Sequence, residues 1–166
     1  MFTVVTNRYN NETWDSSYAN RIKRNIPCIY CSPTELSSKI CYNTPVFVIE
    51  MNNSTNKIEG IGLIKNTLEK KYYKIHNDGN YNRYIYIGNY HIDRETINNC
   101  NPELLYVLEQ ILFKGYTHSK RGSGITCIPE KVLKLDICQG INIKKEIKQI
   151  FITHFREKII EIKKNK

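Results

Sequence analysis

The chain has 166 residues, enough for one domain with its own core, and 25 Lys and Arg against 16 Asp and Glu leave a net charge of +9. That sign favours polyanionic partners, nucleic acid first and an anionic membrane surface second. No apolar run approaches the ~20 residues of a membrane span, and the first residues lack a charged start followed by an apolar stretch, so neither a spanning helix nor a secretory leader is expected.

In chain order, residues 2–6 read as a first strand and residues 7–11 as the loop after it. Residues 13–22 can form a short helix with Trp14, Tyr18 and Ile22 on one face, broken at Asn25-Ile26-Pro27. Residues 28–31 make a short buried strand. Ser32, Pro33 and Glu35 then have the spacing of a helix start, with Ser32 as the cap. Residues 45–51 and 57–64 are two strands joined by a polar turn at 52–56. Gly60 and Gly62 lie two apart, hence on one face of their strand, where two missing side chains let another element or a ligand approach closely.

Residues 72–75 read as a further strand, and 81–91 as a hairpin turning at Gly88-Asn89. Asn101-Pro102 caps a helix to Lys114 whose stripe is Leu104, Leu105, Leu108, Ile111 and Leu112, and Gly115 stops it. A polar loop at 116–124, a short strand at 125–128 and a helical turn at 129–135 follow. Residues 142–162 form a second long helix with Ile143, Ile147, Ile150, Phe151, Phe155 and Ile162 near one face. The charge is uneven: residues 139–166 hold eight basic and three acidic side chains, more than half of the excess. The expected fold class is α+β.

The run Ile29-Tyr30-Cys31-Ser32, a short helix, an aliphatic strand over 46–50, a polar turn and Gly60-Ile61-Gly62-Leu63-Ile64 resembles the front half of a YTH domain. The same layout occurs in the related EVE and ASCH domains of the PUA-like superfamily. The resemblance covers roughly residues 2–66. It implies a small mixed β-barrel surrounded by three to four helices, with a PUA-like domain over 1–138 and a basic amphipathic helix over 139–166 packed on it. It further implies that Tyr30 stands at the first aromatic wall of a base pocket and that Cys31 and Ser32 take the positions whose backbone reads the base edge. The family has Trp where this chain has Tyr30, and its second cage Trp has no counterpart, the chain's single Trp being Trp14.

The residues agree with that outline in their chemistry. Single-stranded nucleic acid is held by aromatic faces beside cations that meet phosphates. Thr117 to Gly124 supplies Lys120 and Arg121 followed by Gly122 and Gly124, whose N–H groups can face an anion without obstruction. A solvated loop after a helix end is the plainer reading of the same residues. The expected function is therefore a nucleic-acid-binding module, RNA ahead of DNA, with an aromatic pocket (Tyr30, Cys31, Ser32, Trp14, Gly60, Gly62) and a phosphate-binding loop (Lys120, Arg121, Gly122, Gly124).

Two other functions compete. His91, Asp93 and Glu95 alternate and would serve a metal-dependent nuclease if their strand continued, although such an alternation is more often a solvated face. The other is a structural or adaptor role, as in a large DNA virus, with the C-terminal helix on a protein partner; heavy use of Asn, Ile, Lys and Tyr points to an AT-rich genome. Cys28 and Cys31, with Cys41, Cys127, Cys138 or His118, suggest zinc, but a single Cys pair on a strand faces two ways, and buried thiols are preferred. No cofactor and no membrane partner are expected, and the compartment expected is cytoplasmic or nuclear.

Overall fold

Alternation along the strands generates the layers. In the computed structural model, which describes residues 2–164 with side chains through Arg156, Val4 and Val5 enter two different cores. Strand β1 (Thr3–Tyr9) pairs in parallel with β3 (Pro45–Asn52), and β3 pairs antiparallel with β4 (Lys57–Lys65). With β6 (Tyr90–Asp93) and β7 (Ile125–Cys127) these form a five-stranded sheet in the order β6-β4-β3-β1-β7. A second sheet pairs β2 (Cys28–Ser32) with β5 (Tyr84–Gly88).

One face of the large sheet carries Val4, Phe47, Ile49, Met51 and Ile61 against helices α2 (Arg94–Cys100), α3 (Pro102–Phe113), α4 (Glu130–Leu133) and α5 (Ile143–Lys164). The opposite face sets Val5, Val46, Val48 and Ile64 against Cys28, Tyr30 and Tyr86 of the small sheet. A third cluster, with Ile29, Cys31 and Ile85, is closed by Tyr73 and Ile75 from the long segment before β5. The remaining helix, α1 (Asn11–Arg24), packs beside β1 and β2. The class is α+β. Among the described residues the ladders form two sheets rather than a closed barrel, with five α-helices in place of three or four.

A bulge tunes the alternation. The register of β3 against β4 shifts between Glu50 and Met51, leaving Glu59 as the extra residue. Ile58 and Ile61, three apart, therefore both reach the helix side, while Gly60 faces Glu50 between the sheets. The strands at 45–51 and 57–64, the α3 cap at Asn101 and the buried stripe of α5 match their sequence signals. Ile162 lies outside the residues whose side chains are described, as do Lys158, Lys163 and Lys164.

Four expectations are corrected. Residues 81–91 are no hairpin: β5 and β6 do not pair with each other, and the chain bends at Gly88-Asn89 to pass from the small sheet to the large one. Gly88 permits this, since a Cβ there would sit 2.1 Å from the Leu63 carbonyl oxygen. Residues 72–75 form no ladder, although Tyr73 and Ile75 are buried. Ser32 ends a strand and starts no helix, because its Oγ accepts from Thr34 and from Ile125 across to β7. Strand β1 continues through the polar residues 7–9, since those residues face a polar interior rather than solvent.

The close approach inferred at Gly60 and Gly62 is made by protein. A Cβ on Gly62 would lie 2.0 Å from the Tyr30 hydroxyl oxygen, and one on Gly60 2.9 Å from Glu50 Oε2. Gly62→Ala should therefore destabilise the protein by about 3 kcal/mol, as overpacking in a closed interior does. Gly79→Ala, where a Cβ meets nothing within 4 Å, should stay within about 0.5 kcal/mol. Urea denaturation of the two variants measures both.

Candidate nucleic-acid interface

The polar interior is organised by Glu50, which is fully buried. Arg21 Nη2 lies 2.8 Å from Glu50 Oε1, Tyr30 Oη donates to the same oxygen at 2.7 Å, and His91 Nε2 lies 3.0 Å from Oε2. Arg21 also donates to Tyr9 Oη at 3.5 Å, and Asn7 donates to that hydroxyl at 2.9 Å. Its guanidinium sits 5.3 Å from the ring centres of both Trp14 and Tyr30. Burial pushes the Glu50 carboxyl up, but Arg21 and His91 outweigh it and hold it at about 2. Burial likewise raises Tyr30 well above its ordinary range and pushes Cys28 up to about 12, so both stay protonated.

Tyr30 is thus corrected. At 0% exposure its ring is closed in between the sheets, and it cannot offer a stacking face. Ser32 is buried, its hydroxyl accepting from β7's first N–H and its strand position paired with Tyr84 of β5. Gly60 and Gly62 make room for Glu50, His91 and Tyr30. Trp14 packs between the rings of Tyr9 and Tyr18, with centroids 5.3 and 6.1 Å away. Of the six residues assigned to the base pocket, Cys31 alone lines the hollow at the end of β1, because successive residues of β2 point to opposite sides.

That hollow, about 490 Å³, lies where the ends of β1 and β3, the start of α1 and residues 76–81 meet. Asn7 and Tyr9 reach it from β1, Asn10 and Thr13 from the capping box of α1, Asn53 from the end of β3, and His76 and Tyr81 from the long segment. His76 and Tyr81 pack edge to face at 6.5 Å. Two side-chain atoms of the lining, Asn53 Oδ1 and His76 Nδ1, are buried without a hydrogen-bond partner. Such an atom costs about 1–3 kcal/mol and calls for an explanation. Burial lowers the His76 pKa, which leaves a neutral ring nitrogen there.

The glycine-rich loop adjoins this hollow. Arg8 lines it and donates from Nε to the Ser119 carbonyl, from Nη1 to Gly124 O at 3.4 Å, and from Nη2 to Thr126 Oγ1 at 2.8 Å. Asn53 Nδ2 donates to Lys120 O at 3.0 Å. Gly124 takes φ +70° with Ser32 Oγ 2.3 Å from any added Cβ, so this turn admits only glycine. Lys120 Nζ donates to Asn56 Oδ1 at 2.7 Å, while Arg121 is exposed.

The nuclease residues do not converge. His91 joins Glu50, Asp93 caps α2 by accepting from Thr96 N at 2.8 Å, and Glu95 is exposed in the first turn of that helix. Cys28 and Cys31 point into different cores. Among the described residues no three His, Cys, Asp or Glu side chains group to hold a metal ion, and no helix is long and apolar enough to cross a membrane. Sequence reasoning missed Asn7, Arg8, Tyr9, Asn53, His76 and Tyr81. For Asn7, Arg8 and Tyr9 the signal was polar residues continuing an apolar strand, which reads equally well as a loop; Asn53, His76 and Tyr81, in a turn and an irregular segment, gave none. Compared with family models, curated proteins and solved structures, the chain matches none.

The Glu50 pKa lies below its unfolded value of 4.5, so its stabilisation is complete above pH 4.5 and is lost as pH falls toward 2. Glu50→Gln should flatten the acid limb of the stability curve in that window. Arg21→Ala, which removes the carboxylate's main partner, should cost roughly 3–5 kcal/mol at neutral pH. Denaturant titrations from pH 2 to 7 check both.

Proposed function

We propose that this chain binds single-stranded nucleic acid, RNA ahead of DNA, with one base in the hollow beside β1 and the adjoining phosphates on the loop at 117–124. The observation that carries the reading is a hollow of about 490 Å³ whose own lining side chains, Arg8 and Asn53, hold a cationic, glycine-rich loop. Tyr81, half-buried, supplies an aromatic face for a base. Arg121 supplies the exposed cation, beside Gly122 at φ +95°.

The resemblance to PUA-like domains belongs to this proposal. Parallel pairing of β1 with β3, and a strand that bends from one sheet into the other at Gly88, support a barrel-like arrangement of that kind. The base pocket would then use the Cys31 side of β2 and not the Tyr30 side. The net positive charge supports a polyanionic partner.

Fluorescence anisotropy with labelled RNA and DNA oligonucleotides over a salt series tests the proposal. Affinity should fall as salt rises, and Arg121→Ala should lower the slope of log K against log salt by about 0.7, the value of one phosphate contact on a single strand. Tyr81→Ala should weaken binding about ten-fold at every salt concentration, as loss of one stacking face does. No binding to any oligonucleotide at low salt would overturn the reading.

A further inference from the structure

Helix α1 is built the wrong way round for a surface helix. Its stripe of Trp14, Tyr18 and Ile22, spaced by four, is half-buried or exposed, with Tyr18 at 55% and Ile22 at 67%. The residues it buries are Ser17 and Arg21. A helix that turns an arginine inward and leaves a tyrosine and an isoleucine one turn apart in water keeps apolar surface open that folding would ordinarily cover.

These two side chains wall a second hollow of about 460 Å³, distinct from the first in every lining residue. Ile26 and Pro27 face it from the chain after the helix, and Asn25, His91 and Asp93 bring polar groups. Arg21 reaches it from the buried cluster, with its Nε lacking any hydrogen-bond partner though the residue is 4% exposed. His91 is the one member of the Arg21–Glu50–His91–Tyr30 cluster with appreciable exposure, 19% of its side chain. An ionic cluster of this kind is costly to bury and seldom favoured for stability alone, and its outlet to a hollow marks a binding site. Asp93 keeps a carboxylate at the rim, since hydrogen bonds from Thr96 outweigh its partial burial and hold its pKa down.

We infer that this hollow is a second base-binding site, taking a nucleobase that carries an amino donor and a carbonyl acceptor on one edge, guanine or cytosine. Tyr18 and Ile22 cover its face, Asp93 accepts from the amino group, and His91, the partly exposed member of the cluster, meets the acceptor side. Uracil, which lacks the amino group, is disfavoured by about ten-fold, the discrimination of one good base-edge pair. The inference rests on the same nucleic-acid reading but uses another face of the molecule, so it can fail alone.

The test is a ¹H–¹⁵N NMR titration of the full chain with GMP, CMP and UMP separately. GMP and CMP should shift the amides of residues 22–28 and 91–93 at concentrations about ten-fold lower than UMP. Tyr18→Ala, on an exposed side chain, should abolish those shifts. Asp93→Asn should remove only the preference, because asparagine caps α2 as well as aspartate does and the fold is kept. Equal response to all three nucleotides, or Asp93→Asn with its preference intact, overturns the inference. Shifts confined to residues 7–13 and 76–81, or shifts nowhere, overturn it, while the first hollow stands or falls by the oligonucleotide titrations.

Discussion

A carboxylate with no solvent exposure must be matched inside the protein, and that requirement on Glu50 fixes much of the architecture around it. Arg21 turns inward from α1, Tyr30 crosses from the small sheet, and His91 comes from the strand that leaves it. Each partner belongs to a different element, so the cluster sets the distance and rotation of those elements about β3. Glycine at 60 and 62 is the complementary requirement, since the partners occupy the space where side chains of β4 would stand.

The same cluster places both hollows. Tyr9 takes a hydrogen bond from Arg21 and, with Asn7, fixes the β1 end of the first hollow. Arg21 and His91 form the floor of the second. The two sites therefore flank α1 and share a rigid centre, although no lining residue is common to both. Rings at Tyr9, Trp14 and Tyr18 run along the helix from one to the other.

The loop at 117–124 gains its position from outside its own sequence. Alone, Lys120-Arg121-Gly122-Ser123-Gly124 has the composition of a solvated connection. Arg8 and Asn53, over a hundred and over sixty residues away along the chain, line the first hollow and hold the loop's carbonyls beside it. Its charge was visible in the sequence; its proximity to a pocket was not.

Local signals determined the elements whose partners are local. The cap at Asn101-Pro102, the helical stripes of α3 and α5 and the β3–β4 hairpin at 45–64 each make their backbone hydrogen bonds close by in sequence and need only some apolar partner for the buried face, so their reading survives folding. Tertiary structure decided the rest, for one reason: a polar residue is inside or outside according to whether a distant group neutralises it. Arg21 inverts the expected face of α1 because Glu50 receives it, and Tyr30 is core because its hydroxyl meets the same carboxylate. Residues 7–9 remain strand because Tyr9, Arg21 and the loop at 119–126 bond them. Residue types alone could name an aromatic and basic surface. Which side of β2 faces a hollow depended on contacts made across twenty to seventy residues of chain.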